Sequence, residues 1–223
     1  MLIFPQQSRI VFAGDSVTDS GRDYSAIPGG WGFGNGYVNH IHNLLCATYP
    51  QLSLITINKG VSGDDIQLLS ERWEEDIEKV HPDYISIMVG VNDVLPRFDW
   101  PYREKTKSDL EEFAAIYNNL LKKSRKDLPD LRGFIIMGPA IFEPWEQEPF
   151  RLKLSQYAHV CKQLARRYSA LYVDTQTAID TYLKRQHPYT ASPDRIHPTE
   201  RGAMIIARAW LKTVGYSWEG EVS

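Results

Sequence analysis

One serine, one glycine, one asparagine and an aspartate–histidine pair are the residues of this chain that could together carry out acyl transfer. Ser16 stands in Gly14-Asp15-Ser16-Val17-Thr18-Asp19. A hydroxyl at such a turn becomes a nucleophile when a base lies within reach. In Asp194-Arg195-Ile196-His197-Pro198 a carboxylate precedes an imidazole by three residues. That spacing lets the carboxylate hold Nδ1–H and leaves Nε2 free to take a proton from a serine hydroxyl. Gly60 can offer a backbone N–H unobstructed by a side chain, and Asn92 a neutral amide, the donors that a developing oxyanion needs. Singly, each residue has a plainer reading. Ser16 can be a turn or cap residue, Asp194 and His197 caps before the last helix, and Gly60 and Asn92 ordinary turn residues. The combination is what carries the chemistry.

The elements that must position these residues are legible as an alternation. Short apolar, β-branched runs predict strands over 9–13, 54–58, 84–89, 133–137 and 170–174, each bounded by glycine, proline or aspartate, as for strands buried on both faces. Apolar residues at three- and four-residue spacing predict helices between them. Ile66, Leu69, Trp73, Ile77 and Val80 form one stripe, with Glu71, Glu74, Glu75 and Glu78 on the opposite side. Leu154, Tyr157, Cys161, Leu164 and Tyr168 form another, which makes Cys161 a buried, inert thiol. Further helices are predicted over 38–48, 110–121 and 199–214, the last opening at Pro198 and Thr199. Strand–helix alternation with short connections implies a three-layer α/β fold, a doubly wound five-stranded parallel sheet with helices on both faces, in a single domain over 1–223. Ligands of such sheets bind beyond the carboxyl ends of the strands. The residues after the first three strands are Gly14-Asp15-Ser16, Gly60-Val61-Ser62-Gly63 and Gly90-Val91-Asn92-Asp93. Two long irregular stretches, 19–36 and 95–107, are loops of a length that usually serves function.

Composition narrows the partners. With 25 basic against 28 acidic residues the net charge is −3, which lacks the excess cation of a nucleic-acid binder. No apolar run is long enough to span a bilayer. Two cysteines, Cys46 and Cys161, make no disulfide framework, and the N-terminal residues do not read as a signal peptide, so a cytoplasmic address is expected. The spacing of His40 and His42 turns them to different sides of a helix, and no other metal-binding pattern stands out, so no metal and no cofactor is expected. The glycines from Gly29 to Gly36 do not match a dinucleotide fingerprint and read instead as a loop that carries Trp31, Phe33 and Tyr37 over the cleft.

The blocks Gly14-Asp15-Ser16-Val17, Asn58-Lys59-Gly60, Gly90-Val91-Asn92-Asp93 and Asp194-Arg195-Ile196-His197-Pro198 resemble, in order, the four motif blocks of the SGNH (GDSL-like) hydrolases. The first reads Val where the family name has Leu. The resemblance implies a flavodoxin-like sheet, Ser16 as nucleophile, His197 as base and Asp194 as its orienting partner. It further implies an oxyanion hole made by the Ser16 and Gly60 N–H groups and the Asn92 side chain. Within the group, the stretches around Arg72-Trp-Glu-Glu-Asp76, Ser86 to Val94, Glu146-Gln-Glu-Pro149 and Asp174-Thr-Gln176 are similar to intracellular bacterial acetylxylan esterases. This implies a small-molecule substrate, an acetylated sugar such as a xylo-oligosaccharide. Pro193 is a departure, because such relatives can carry tryptophan before the aspartate. Assembly as a homo-oligomer is compatible with the resemblance. A lipase-like or lysophospholipase-like acylhydrolase, or a thioesterase, acting on longer acyl chains is the alternative. Asp15, Trp31, Trp100, Tyr102 and Trp145 are the candidate substrate contacts, with Phe150 and Tyr189 as further aromatic residues of the same loops.

Overall fold

Five strands, β1 (Arg9–Gly14), β2 (Ile55–Gly60), β3 (Tyr84–Met88), β4 (Gly133–Met137) and β5 (Leu171–Val173), pair in parallel in the order β2-β1-β3-β4-β5. The coordinates are a computed structural model, which describes residues 1–27, 29–95 and 109–220. Among them the helices are α1 (Ser16–Asp19), α2 (Tyr37–Thr48), α3 (Ile66–Glu71), α4 (Trp73–Asp76), α5 (Val91–Val94), α6 (Leu110–Asp127), α7 (Pro149–Arg167), α8 (Thr175–Leu183) and α9 (Glu200–Thr213).

The two-residue period of the strands divides the core into two layers. Val11, Ala13, Ile85, Ile87 and Ile136 pack against Leu69, Trp73, Phe113, Tyr117 and Tyr157 of α3, α4, α6 and α7. Ile10, Phe12, Ile135 and Met137 pack against Tyr37, Ile41, Ile179, Ile206 and Trp210 of α2, α8 and α9. Burying both faces explains why the strands read as continuous apolar runs. Each of two buried indoles meets a serine hydroxyl, Trp73 Nε1 to Ser124 Oγ at 2.8 Å and Trp210 Nε1 to Ser86 Oγ at 3.0 Å. The apolar interior therefore leaves no donor of theirs unpaired. Helix starts follow their caps. Asp109 accepts from Glu111 and Glu112 N–H, Asp174 from Thr177 N–H, and Thr199 from Gly202 N–H.

Three details depart from the sequence reading. The stripe from Ile66 to Val80 is not one helix. It breaks at Arg72, whose side chain is drawn to Asp64 (2.7 Å) and Asp76 (2.9 Å), and ends in a 3₁₀ turn over Glu78–Val80. Glu78, expected on the solvent side, is only 6% exposed and pairs with Lys123 from α6. Helix α8, which no clear apolar stripe announced, is set by the Asp174 cap and by the burial of Ile179. No helix among the described residues is long and apolar enough to cross a membrane.

Candidate active site

The sheet order places β1 between β2 and β3, so the chain leaves β1 in one direction to reach β2 and returns past it to β3. The crevice of such a sheet opens at this reversal. The carboxyl end of β1 delivers Gly14-Asp15-Ser16 into it. Asp15 is the N-cap of α1, accepting from the Val17 N–H at 2.9 Å, and Ser16 is the first helical residue. Its hydroxyl therefore projects from a fixed turn.

Ser16 Oγ lies 2.9 Å from His197 Nε2, and His197 Nδ1 lies 2.6 Å from Asp194 Oδ2. With Nδ1 protonated toward the carboxylate, Nε2 is the acceptor and the serine hydroxyl the donor. The second carboxylate oxygen of Asp194 accepts from the Ile196 N–H (2.9 Å), the His197 N–H (2.7 Å) and Ser192 Oγ (3.2 Å). Desolvation works against the charge of Asp194, but the His197 ring and these backbone donors outweigh it and hold the pKa at about 2. The carboxylate is thus ionised wherever the protein is handled.

The turn that bears this pair is itself fastened. Arg195 adopts a left-handed conformation, φ +70°, which an arginine takes only under constraint. Its carbonyl accepts from the Phe142 N–H at 2.8 Å, and its guanidinium pairs with Glu143. Glu143 is buried and also accepts from the Trp145 N–H at 2.8 Å. The loop after β4 therefore holds the loop before α9.

The expectation for Gly60 requires correction. Strand β2 runs two residues further than the apolar run suggested, with Gly60 paired to Gly14 inside the ladder. The Gly60 N–H is donated to Asn58 Oδ1 at 2.9 Å. Glycine is needed there for close approach, since a Cβ would come 2.2 Å from the Asp19 nitrogen. The turn comes later, and the glycine in it is Gly63, with φ +90° and open space where a Cβ would stand. Among the described residues the N–H groups of Ser16 and Gly63 donate to nothing. Asn92, on α5, spends one amide hydrogen on the Asp64 carbonyl at 2.9 Å. The turn is tied to the serine loop by the Val61 N–H to Gly14 O (3.0 Å) and by Ser62, whose N–H (3.0 Å) and hydroxyl (2.9 Å) both reach Asp19 Oδ2. Gly63 was missed because a positive φ leaves no mark in sequence when two glycines stand three apart.

Of the candidate substrate contacts, Asp15 is corrected as well. It is 2% exposed and occupied in capping α1. Burial, the chief cause, with the nearby Asp93 and Asp64 charges raises its pKa to about 7, against the opposing Val17 N–H and His197. Trp31 and Trp145 are exposed, at 92% and 62%. Trp100 and Tyr102 lie outside the described residues. Phe33, Tyr37 and Phe150 are buried, Phe33 stacked 4.1 Å from the His42 ring and the other two in the first turns of α2 and α7, so none of them covers the cleft. Cys161 is fully buried, and burial pushes its thiol far up.

Residues 12–205 match the model of the GDSL-like lipase/acylhydrolase family. An acetylxylan esterase of Geobacillus stearothermophilus is 40% identical over 211 residues, 94% of this chain and 95% of the relative. A crystal structure of an acetylxylan esterase from that organism superposes with a TM-score of 0.91 at 39% identity, covering 98% of each chain. Catalytic mutants of that enzyme, in which a serine, an aspartate or a histidine three positions beyond the aspartate becomes alanine, superpose as well. An alpha/beta hydrolase enzyme from the metagenome of Lake Arreo, Spain, is 34% identical with a TM-score of 0.91, over 96% of this chain and 98% of its own.

Proposed function

The chain belongs to the GDSL-like lipase/acylhydrolase family, and from that membership and the site geometry we infer a serine esterase that removes acetyl groups from acetylated xylo-oligosaccharides. The observation that carries the reading is the continuous relay from Ser16 Oγ through His197 to Asp194, at 2.9 and 2.6 Å. His197 takes the Ser16 proton as Oγ attacks the ester carbonyl. The oxyanion is received by the Ser16 and Gly63 N–H groups and the remaining amide hydrogen of Asn92, aimed before the reaction begins. The collapse of this intermediate breaks the ester C–O bond, and the sugar hydroxyl leaves with the proton from His197. Water, deprotonated by the same imidazole, then attacks the acetyl-serine, releasing acetate and restoring the hydroxyl.

The short acyl group is supported by the acetylxylan esterase relative, 40% identical over 94% of this chain. Sugar as the alcohol is supported by the exposed indoles of Trp31 and Trp145, flat surfaces of the kind that stack on pyranose rings, and by the acetylxylan esterase relative. The two free thiols support a reducing compartment, and with it a cytoplasmic setting and small, soluble substrates. The test is a series of initial rates on nitrophenyl acetate, butyrate and octanoate, then on acetylated xylo-oligosaccharides, with Ser16→Ala as control. Acetate should be fastest, and Ser16→Ala should lose turnover with an unchanged circular dichroism spectrum. A preference for octanoate would overturn the acetyl reading.

A further inference from the structure

Outside the crevice, Arg22 is the cation whose surroundings ask for a ligand. Its side chain is nine-tenths buried, at 9% exposure. Nε donates to the Gly60 carbonyl at 2.7 Å, and the guanidinium lies 3.8 Å above the Tyr24 ring. Among the described residues no carboxylate comes within ion-pair distance of it, and its two terminal amino groups donate to nothing. The terminal amino groups are not among the buried unpaired atoms of the described residues, so they open to solvent, and a carboxylate could take the place of water there. Burial draws the Arg22 pKa down. The neighbouring carboxylates, Asp19 and Asp76 among them, favour the Arg22 charge without pairing with it, and they are hydrogen-bonded elsewhere, Asp19 to Tyr24 and Ser62. Lys59 Nζ is held by Asp76 at 3.1 Å, Arg72 by Asp64 and Asp76, and the exposed Asp23 carboxylate turns back onto Ser25 N–H and Oγ at 2.8 and 2.7 Å.

Arg22 lines a cavity of about 80 Å³ between the loop after α1 and the outer strand β2, with Asn58 and Lys59 beside it and Tyr24 and Trp31 also on its wall. Both aromatic residues are largely exposed, 61% and 92%. The cavity adjoins the crevice. Asp19 Oδ2 accepts from Tyr24 Oη at 2.7 Å on the cavity side and from Ser62 in the turn before Gly63 on the other.

We propose that this cavity is a subsite for a uronic acid, its carboxylate received by the free terminal amino groups of Arg22 and its ring resting on Trp31. A planar guanidinium with two parallel N–H donors matches a carboxylate in fork geometry, and the volume admits a carboxylate with its attached ring edge but not a whole disaccharide. The inference rests on the carbohydrate-ester reading and deepens it. The substrate is then an acetylated oligosaccharide bearing an acidic sugar near the acetyl group.

The test titrates the wild-type protein, at fixed ionic strength, with sodium glucuronate, glucuronamide, glucose and inorganic phosphate, followed by calorimetry and indole fluorescence. Glucuronate should bind at least about tenfold more tightly than its neutral amide, the difference a charge-assisted hydrogen bond makes. Arg22→Gln should erase that preference, and Trp31→Ala, at an exposed position, should weaken glucuronate. Equal binding of glucuronate and glucuronamide, no saturable binding of glucuronate, or binding of phosphate as tight as glucuronate would overturn the proposal. The amide comparison needs no variant, so an Arg22→Gln chain that failed to fold would leave the proposal open to refutation. Rates on neutral acetylated xylo-oligosaccharides, measured alongside, separate the two readings. Failure there would remove the carbohydrate esterase, whereas failure in the titration alone would remove only the acidic subsite.

Discussion

Asp15→Asn should change the pH dependence of stability in a direction opposite to most carboxylate substitutions. Asp15 is buried beneath Ser16 with a pKa raised from 3.8 to about 7, by burial first and by Asp93 and Asp64 after it. Below about pH 4 the group is protonated in both folded and unfolded chains and its contribution no longer varies with pH. Between about pH 4 and 7 the folded protein retains a proton that the unfolded chain has released, so stability falls as pH rises, and it levels off once the folded carboxyl has ionised. The rise from 3.8 to about 7, at about 1.4 kcal/mol for each tenfold change in proton affinity, gives about 4 kcal/mol lost across that window. Asparagine does not titrate, and its side-chain oxygen can still accept from the Val17 N–H, so the cap on α1 survives. Urea unfolding of both proteins at about pH 4, 5.5, 7 and 8, followed by tryptophan fluorescence, isolates the effect because every other titrating group is common to the pair. The free energy of the Asp15→Asn variant relative to wild type should improve by about 4 kcal/mol from pH 4 to pH 8. A difference that stayed constant across the four pH values would refute the reasoning. One that shrank would mean that the carboxylate is stabilised when charged.

Asn92→Ala should lower kcat by about a hundredfold or more, the usual cost of one oxyanion donor; a loss of less than about threefold in steady-state assays would remove Asn92 from the reaction. Gly60→Ala should lose about 1–3 kcal/mol of stability in urea unfolding, because its Cβ would meet the backbone at Asp19. An equally stable Gly60→Ala variant with reduced kcat would restore Gly60 as a donor.

Much of the fold could be read from residue patterns because the sheet is buried on both sides. Runs such as Tyr84 to Met88, every residue of which is buried, read as strands by their length and the Gly and Pro that flank them. What escaped was decided by single side chains acting across elements. The helical stripe from Ile66 to Val80 has the right period, but the backbone leaves helical geometry at Arg72, whose side chain is held by Asp64 in the preceding turn. Glu78 lies on the side the pattern gives to solvent, yet Lys123, 45 residues away, pairs with it and Ser124 lies over it. Helix α8 depends on a cap and one buried isoleucine, too little for a periodic signal. Each of these outcomes belongs to tertiary contacts that local pattern cannot contain.

The candidate site divides along the same line. Side-chain chemistry is written in residue identity, so Ser16, Asn92, Asp194 and His197 could be nominated by type and spacing. Backbone chemistry is not, because every residue except proline carries an N–H and only conformation decides which one is free. The strand had to continue through Gly60 before the turn could fall at Gly63, and that extension follows from pairing Gly14 with Gly60, a contact between distant segments. Asp15 shows the converse. Its charge and its place beside Ser16 invite a role with substrate, whereas the backbone it caps has enclosed it. The constraint on the Asp194–His197 turn also lies outside its own residues. A left-handed Arg195 is sustained by the Phe142 N–H and by Glu143, both contributed by the loop after β4. The aspartate and histidine are therefore held in register with Ser16 by a segment some fifty positions earlier. That segment also presents Trp145, whose N–H shares Glu143. A change in the Trp145 loop would thus reach the turn that carries the imidazole through the two contacts of Glu143, with the Trp145 N–H and with the Arg195 guanidinium.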